Sequence, residues 1–476
     1  MPAAMDELQW PREVLQKSSD DLDRLVFPVR RLSPELVSQI FLQLLPEDWK
    51  EDIIFCRYTR LLLGQICSYW RQVALSTPEL WAFIGLEILP DQGPSDATMV
   101  KTWLERSGQR ALILQIALPP HSKIFNTDTD PIMDAIIPLS HRWTEARFRL
   151  NSSVIDRLVA IKGSIPSLQI LAIDFQYTCT QPINAFEDAP RLRCLEVGIT
   201  ISPFWLTVPW AQLTRCRLDN VTTTECIELL SGCPNLVDCE LSPQWVEDWP
   251  DFPDVDILVL QLQFLNINSG SFVDPANLFD HLSLPNLHKF RYAPHGQWIN
   301  EWADPISAWD NGAFVALLSR SSSPLHTLIL GVELSQEDLI ECLQCTPCLN
   351  ELHLSDQGAS CVSTTSLSHL TNRGTASRLA AYLVPKLQKF SFDHYSTLDG
   401  PAFADMVQSR WRLEAVTDHL GEATRLKTVS INLVFSEEEQ GTPDLAFDSK
   451  TIERLRKLRA EGLDISVLTK GEHFDI

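Results

Sequence analysis

The 476-residue sequence predicts an α/β protein in which a small all-α module is followed by an irregular solenoid of parallel strands and helices. Apolar residues recur at helical spacing from Leu32 to Trp81. From Ile165 to Ile431 a proline or turn, followed by apolar-x-x-apolar-x-apolar, returns many times. Residues 225–236 also align without gaps to residues 338–349. Units of this size bury their apolar edges only when neighbouring units stack beside them, so the pattern indicates a solenoid.

The α-helical module is predicted to begin at Ser33, a residue that can cap a helix whose first position is Pro34. On that helix, positions 36/40/44 and 37/41/45 form two adjacent apolar stripes. A second helical run carries further apolar residues from Leu62 to Ala74. About fifty residues cannot bury this much apolar surface among themselves. Either the rest of the chain or another protein is therefore expected to cover it.

The repeat unit of the solenoid has a variable length. Its first apolar residues are Leu168, Leu192, Leu213, Leu236, Val255, Leu287, Leu325, Leu349, Leu387 and Leu426. By subtraction they lie 19 to 39 positions apart. The pattern resembles leucine-rich repeats interrupted by loop insertions, since the ideal period of those repeats is ~20–29 residues.

Three motifs mark the module: Leu32…Glu35-Leu36…Ile40-Phe41…Leu44, Cys67…Trp70-Arg71, and Leu80-Trp81. With these motifs it resembles an F-box, most of all the F-box-like proteins of mushroom-forming (basidiomycete) fungi. The resemblance implies that the residues that contact the adaptor subunit of a cullin-type ubiquitin ligase are Leu32, Pro34, Leu36, Ile40, Phe41, Leu44 and Trp70. Ser33 stands where the family usually has proline, and Pro46–Tyr58 lengthens the first interhelical link. The alternative is that the module is only a helical cap on the solenoid.

We predict three regions along the chain. Residues 1–28 form a polar leader helix, residues 29–85 the F-box-like domain, and residues 86–476 the solenoid, with its best repeats over 165–432. A helix from Thr451 to Glu461 and a last strand from Asp464 to Leu468 form the C-terminal cap.

Composition excludes several classes of function. A formal charge of −23 argues against nucleic-acid binding, which requires a concentrated basic face. Twelve cysteines in so long a chain do not form a disulfide framework. The N-terminal residues lack the features of a signal peptide, and no apolar run reaches the ~18–20 residues of a membrane span. We therefore expect a protein of the cytoplasm or nucleus, neither secreted nor bound to a membrane.

No catalytic or cofactor-binding motif is present, so we predict a protein that is not an enzyme and has no cofactor. The spacing of Cys342, Cys345 and Cys348 is the closest to a metal site, but no second Cys or His pair lies nearby. In the internal alignment Cys342 and Cys345 replace Leu229 and Gly232. We interpret these cysteines as small buried residues and predict no metal site.

Two segments rich in tryptophan and acidic residues are candidates for substrate binding. Their candidate residues are Trp245, Glu247, Asp248, Trp249, Trp298, Glu301, Trp302 and Asp304. Both segments follow repeat strands at the same end, so one rim of the solenoid should carry them. Aromatic residues beside carboxylates suit a protein substrate with a basic segment. The alternative is that these tryptophans seal the solenoid beneath long loops.

The F-box resemblance implies a substrate-recognition subunit of a cullin-type ubiquitin ligase, with the ligase adaptor, the cullin scaffold and a protein substrate as partners. A repeat-based interaction scaffold with a degenerate F-box is the alternative.

One further feature of the repeats is compatible with either function. Arg215 and Arg217 on one strand should lie opposite Asp238 and Glu240 on the next, as internal ion pairs or as part of a binding face.

Overall fold

The structure is a computed structural model. It describes residues 32–44, 53–88, 93–118, 129–151, 154–175, 181–244, 257–269, 275–294, 309–355, 361–372, 383–394, 399–412, 423–433, 447–469 and 472–474. The chain divides into two compact units, Met1–Leu192 with Trp205–Pro209, and Arg193–Phe204 with Trp210–Ile476. The predicted leader, residues 1–28, lies outside the described residues.

The first unit contains the predicted helical module. Its helices are α1 (Pro34–Gln43), α2 (Ile53–Ile66) and α3 (Ser68–Leu75), followed by a 3-10 turn at Pro78–Trp81. The Ser33 hydroxyl accepts a hydrogen bond from the Leu36 N–H at 3.4 Å, as expected of an N-cap. Cys67 caps α3 in the same way and so breaks the predicted second run into two helices. The link predicted over Pro46–Tyr58 is too long, because α2 already begins at Ile53.

Four parallel strands complete the first unit. They are β1 (Phe83–Glu87), β2 (Leu112–Ala117), β3 (Trp143–Leu150) and β4 (Ile170–Phe175), paired in that order. The helices α4 (Gly93–Arg106), α5 (Asp130–Ile136) and α6 (Ile155–Leu158) lie between them in sequence. Strand β1 was not predicted from the sequence, and the boundary predicted between residues 85 and 86 lies inside it. Three consecutive residues of β1 are buried, so it lacks the alternation that marks a half-exposed strand.

The second unit is an α/β solenoid. Its sheet strands are β5 (Cys194–Val197), β6 (Arg215–Val221), β7 (Asp238–Pro243), β9 (Phe264–Ser269), β11 (Lys289–Pro294), β12 (Thr327–Leu330), β13 (Glu351–Ser355), β14 (Lys389–His394), β15 (Thr428–Leu433), β16 (Asp464–Thr469) and β17 (Glu472–Phe474). From β5 to β16 all neighbours in this order are parallel, and β17 adds an antiparallel edge. Its helices are α7 (Thr223–Gly232), α8 (Ala276–His281), α9 (Asn311–Ser321), α10 (Gln336–Gln344), α11 (Thr364–Leu370), α12 (Gly400–Trp411) and α13 (Ser449–Ala460).

The core of the solenoid consists of the repeated apolar positions. In the unit that contains β13, Leu349, Leu352 and Leu354 are all at most 1% exposed. Full burial of each such side chain stabilises the fold by roughly 1.5–3 kcal/mol. The residues between them face outward, and they form rows across the sheet because neighbouring strands are in register.

The internal repeat of the sequence is confirmed in the structure. Helix α7 begins with a capping box formed by Thr222 and Glu225, and α10 begins with one formed by Ser335 and Asp338. These pairs are 113 residues apart, as are the first residues of β7 and β13. Helix start, turn and strand therefore recur in the same order.

One predicted repeat, which begins at Val255, is wrong. Leu258 and Leu260 are 59% and 52% exposed, and within the described residues the two-residue strand β8 (Ile257–Leu258) pairs only with β10 (Leu282–Ser283). The repeat strand is instead β9, in a unit whose first buried residue is Leu262. This unit follows Leu236 by 26 residues, a more regular spacing than the predicted 19. Both segments match the same apolar pattern, and only strand pairing distinguishes them.

The predicted C-terminal cap is observed as α13 and β16. Leu455 and Leu458 of α13 are buried, and the helix ends before Gly462, whose φ of 101° favours glycine. The strand predicted as the last one is followed by β17.

Candidate functional site

Helix α1 has one buried and one exposed apolar stripe. Val37 and Phe41 are 1% and 0% exposed, and they form the side of the helix that faces the module's core. Leu36, Ile40 and Leu44 are 55%, 41% and 49% exposed. Their spacing of four residues places them in one row along the helix. The two stripes predicted from the sequence are therefore present, and they have different roles.

Phe41 was expected to contact a partner, but it is completely buried. Its ring packs edge to face against the half-buried ring of Trp70, with centroids 4.9 Å apart. This pair joins α1 to α3, so Phe41 acts on the exposed stripe by fixing the helix that carries it. Of the remaining predicted contact residues, Pro34 is exposed and Leu32 is half-buried. The backbone oxygen of Leu32 accepts a hydrogen bond from the Tyr69 hydroxyl at 2.7 Å.

Large exposed apolar side chains also occur on the other two helices of the module. They are Leu61, Leu62 and Ile66 on α2 and Leu75 on α3, between 37% and 57% exposed. Scattered apolar residues are ordinary on protein surfaces, but several on three short helices suit a protein-binding surface. These four residues are not among the seven that were predicted to contact the adaptor.

The module is anchored to the rest of its unit by a buried arginine. The Arg60 guanidinium donates hydrogen bonds to the backbone oxygens of Leu80, at 3.0 Å, and Phe83, at 2.6 Å. It also lies over the Trp103 ring at 4.5 Å. An arginine that is 1% exposed keeps its charge only with such partners, so this contact holds α2 in one position relative to β1 and α4.

The start of α1 carries a negative charge suited to the helix dipole. Hydrogen bonds from the Ser33 hydroxyl and from its own backbone N–H lower the pKa of Glu35. The carboxylate thus stays ionised beside the positive end of the helix, next to the exposed stripe.

The outward rows of the second unit contain the predicted ion pairs. Arg215 Nε lies 2.8 Å from Asp238 Oδ2, and Arg217 Nη1 lies 3.9 Å from Glu240 Oε1. Arg217 Nε is also 3.6 Å from Asp219 Oδ1. Charges in this part of the face therefore compensate one another.

Cys342, the first of the three spaced cysteines, is buried and donates a hydrogen bond to Asn311 Oδ1 at 3.0 Å. Burial, followed by the nearby Cys345 and carboxylates, raises the pKa of the Cys342 thiol. Such a thiol is a poor ligand and a poor nucleophile at neutral pH. Within the described ranges, no cluster of three or more His, Cys, Asp or Glu side chains could hold a metal ion.

All eight residues predicted for substrate binding, from Trp245 to Asp304, lie outside the described residues. The neighbouring Trp309 is described, and it packs among Phe279, Tyr292 and Phe314 with ring centroids 5.0 to 5.9 Å away. This one tryptophan therefore covers the core beside β11. Among the helices that the structure describes, none is long and apolar enough to cross a membrane.

Comparisons with known proteins give only distant similarities. No protein-family model matches the chain, and no curated protein matches it. The chain is similar to the crystal structure of the Rad7 and Elc1 complex in yeast, at 14% identity and a TM-score of 0.30, over 80% of this chain and 92% of that one. It is also similar to the TLR13–ssRNA13 complex, at 14% identity and a TM-score of 0.29, over 68% of this chain and 46% of that one. At these TM-scores neither similarity carries a functional argument, and the assignment of the fold rests on the strand order and register.

Proposed function

We propose that this protein is a non-catalytic substrate receptor of a cullin-type ubiquitin ligase, which binds the ligase adaptor through its helical module and a protein substrate through its repeats. The observation that carries the proposal is the exposed row of Leu36, Ile40 and Leu44. These side chains lie on a helix whose other side is fixed in the module's core. Half-exposed leucine and isoleucine in a row on a fixed helix provide a ready-made apolar docking surface.

The position of this row agrees with the F-box resemblance. Three of the seven residues implied to contact the adaptor are the exposed stripe itself, and Phe41 and Trp70 hold it in place. A receptor of this kind needs no catalytic residue. It brings substrate lysines close to an enzyme bound on the same scaffold and so raises their effective concentration.

The test is retention of the purified adaptor subunit of a fungal cullin-type ligase on the immobilised full chain. The wild type should retain it, and the triple variant Leu36→Ala, Ile40→Ala, Leu44→Ala should not. A matched control replaces one isoleucine and two leucines that are at least as exposed elsewhere, Ile199, Leu258 and Leu260, with alanine. It should bind like the wild type. Failure of the folded wild type to retain the adaptor would contradict the proposal.

A repeat-based scaffold that does not belong to a ligase is the second candidate. The observation that favours it is Ser33, which stands where F-box sequences usually have proline and serves here as the cap of α1. A folded chain that binds other proteins through its repeats but never the adaptor would support this candidate.

A further inference from the structure

The outward face of strands β11 to β15 differs in charge from the rest of this acidic protein. Three cationic side chains lie on it, Lys289, Arg291 and Lys389, and two more, Lys386 and Lys427, lie in the segments just before β14 and β15. We call these five residues the basic face. Four of them are exposed, and Arg291 is half-buried. The whole chain has a formal charge of −23, so a group of five cations here is a local exception.

Few carboxylates oppose the basic face. On the outward positions of the same five strands there are two, Glu351 and Asp393. Glu351 Oε1 lies 4.0 Å from Lys389 Nζ, and Asp393 Oδ2 lies 3.5 Å from His353 Nε2. Within the described ranges, Lys389 is the only cation of the basic face with a carboxylate within 4 Å.

Two histidines lie beside the basic face. His288 and His326 occupy the same outward position on adjacent repeats, with ring centroids 5.2 Å apart. Burial, His288 and Lys386 together lower the pKa of His326. The lowered pKa favours the neutral form of His326, so the positive charge of this region comes from the lysines and Arg291.

The neighbouring strands bound the basic face on both sides. Next to β11, the outward positions of β9 carry uncharged residues, and on β7 and β6 beyond it Asp238 and Glu240 face Arg215 and Arg217. Beyond β15, Asp464 of β16 pairs in register with Thr428. Among the described residues, the excess of cations over carboxylates therefore lies on five strands and the turns before them, about 19 Å across at the usual strand spacing.

We infer that the basic face binds an extended acidic peptide segment of the protein substrate. The inference rests on the proposed function and names the class of substrate. An extended peptide places alternate side chains on one side about every 6.8 Å, so about three carboxylates fit across five strands. Positive potential on an otherwise acidic protein would steer such a segment to this face.

Nucleic acid is a poorer fit to the same face. The outward positions of β11–β15 carry no phenylalanine, tyrosine or tryptophan on which bases could stack. The acidic peptide is opposite in charge to the substrate predicted from the tryptophan-rich segments, so one binding experiment separates the two hypotheses.

The test is fluorescence anisotropy with the full chain and a labelled twelve-residue peptide of alternating glutamate and serine. A peptide of alternating lysine and serine and a twelve-nucleotide single-stranded RNA serve as competing probes. The double variant Lys389→Gln, Lys427→Gln should bind the glutamate peptide about five- to tenfold more weakly, because two exposed charge contacts are lost. The matched control Lys450→Gln, Lys457→Gln, on the exposed side of α13, should bind like the wild type.

Several results would overturn the inference. One is that the wild type does not bind the glutamate peptide, or binds the lysine peptide more tightly. Another is that both double variants weaken binding of the glutamate peptide equally. A third is that RNA binds as tightly as the glutamate peptide and loses the same affinity in the Lys389→Gln, Lys427→Gln variant. The substituted lysines are remote from α1 in sequence, so their replacement should not change adaptor binding, and adaptor retention is measured on the same proteins. If the wild type retains the adaptor but does not bind the glutamate peptide, this inference fails and the proposed function stands.

Discussion

Replacing Phe41 with alanine is expected to destabilise the helical module by about 3–5 kcal/mol, the usual cost of removing a buried phenylalanine. Phe41 is 0% exposed, and its edge-to-face contact with Trp70 contributes about 0.5–1.5 kcal/mol of that amount. Leu36→Ala on the same helix should cost less than about 1 kcal/mol. Leu36 is 55% exposed, and leucine and alanine both favour helices.

Hydrogen exchange of the α1–α3 amides measures this difference directly, since it reports the free energy of local opening. Phe41→Ala should lower protection throughout the module, and Leu36→Ala should leave it nearly unchanged. A urea titration of each variant checks whether the second unit keeps its stability. Similar loss of protection in both variants would refute the division of α1 into a core stripe and a docking stripe.

Two further predictions concern the second unit. Arg410 is 0% exposed and donates hydrogen bonds to the backbone oxygens of Leu370, Leu383 and Val384. Arg410→Met should therefore lower the free energy of unfolding, measured by urea titration, by about 3–5 kcal/mol. Arg456→Met, at an exposed position, should leave it unchanged. Burial opposes ionisation of Asp393, but hydrogen bonding and charge from His353, with hydrogen bonds from Asn432 and Ser355, hold its pKa below the usual value. Its carboxylate therefore stabilises the fold above about pH 4, and this stabilisation is lost as the pH falls through the lowered pKa. The difference in free energy of unfolding between the wild type and Asp393→Asn, measured by urea titration, should shrink as the pH falls over that range.

The architecture was predictable because burial repeats along the sequence. The Ser33 cap, the two stripes of α1 and the repeat of residues 225–236 at 338–349 all follow from local spacing. Phe41 was misassigned because the F-box pattern does not distinguish residues that touch a partner from those that hold the helix. The repeat at Val255 was misplaced because two adjacent segments match the same pattern and only long-range pairing selects β9.

The basic face was also not visible in the sequence. Its cations are spread over more than a hundred residues. Only the register of β11 to β15 brings Lys289, Lys389 and Lys427 onto one surface.

Isothermal titration calorimetry, with the purified adaptor titrated into the full chain, tests most directly whether the exposed stripe of α1 binds the adaptor. The three exposed side chains of α1 are each about half buried already, so docking gains about 1 kcal/mol from each. The triple variant Leu36→Ala, Ile40→Ala, Leu44→Ala should therefore have a dissociation constant about a hundredfold higher than the wild type. Ile199→Ala, Leu258→Ala, Leu260→Ala should leave it unchanged. Equal affinity of both triple variants, or no binding by the folded wild type, would contradict the account.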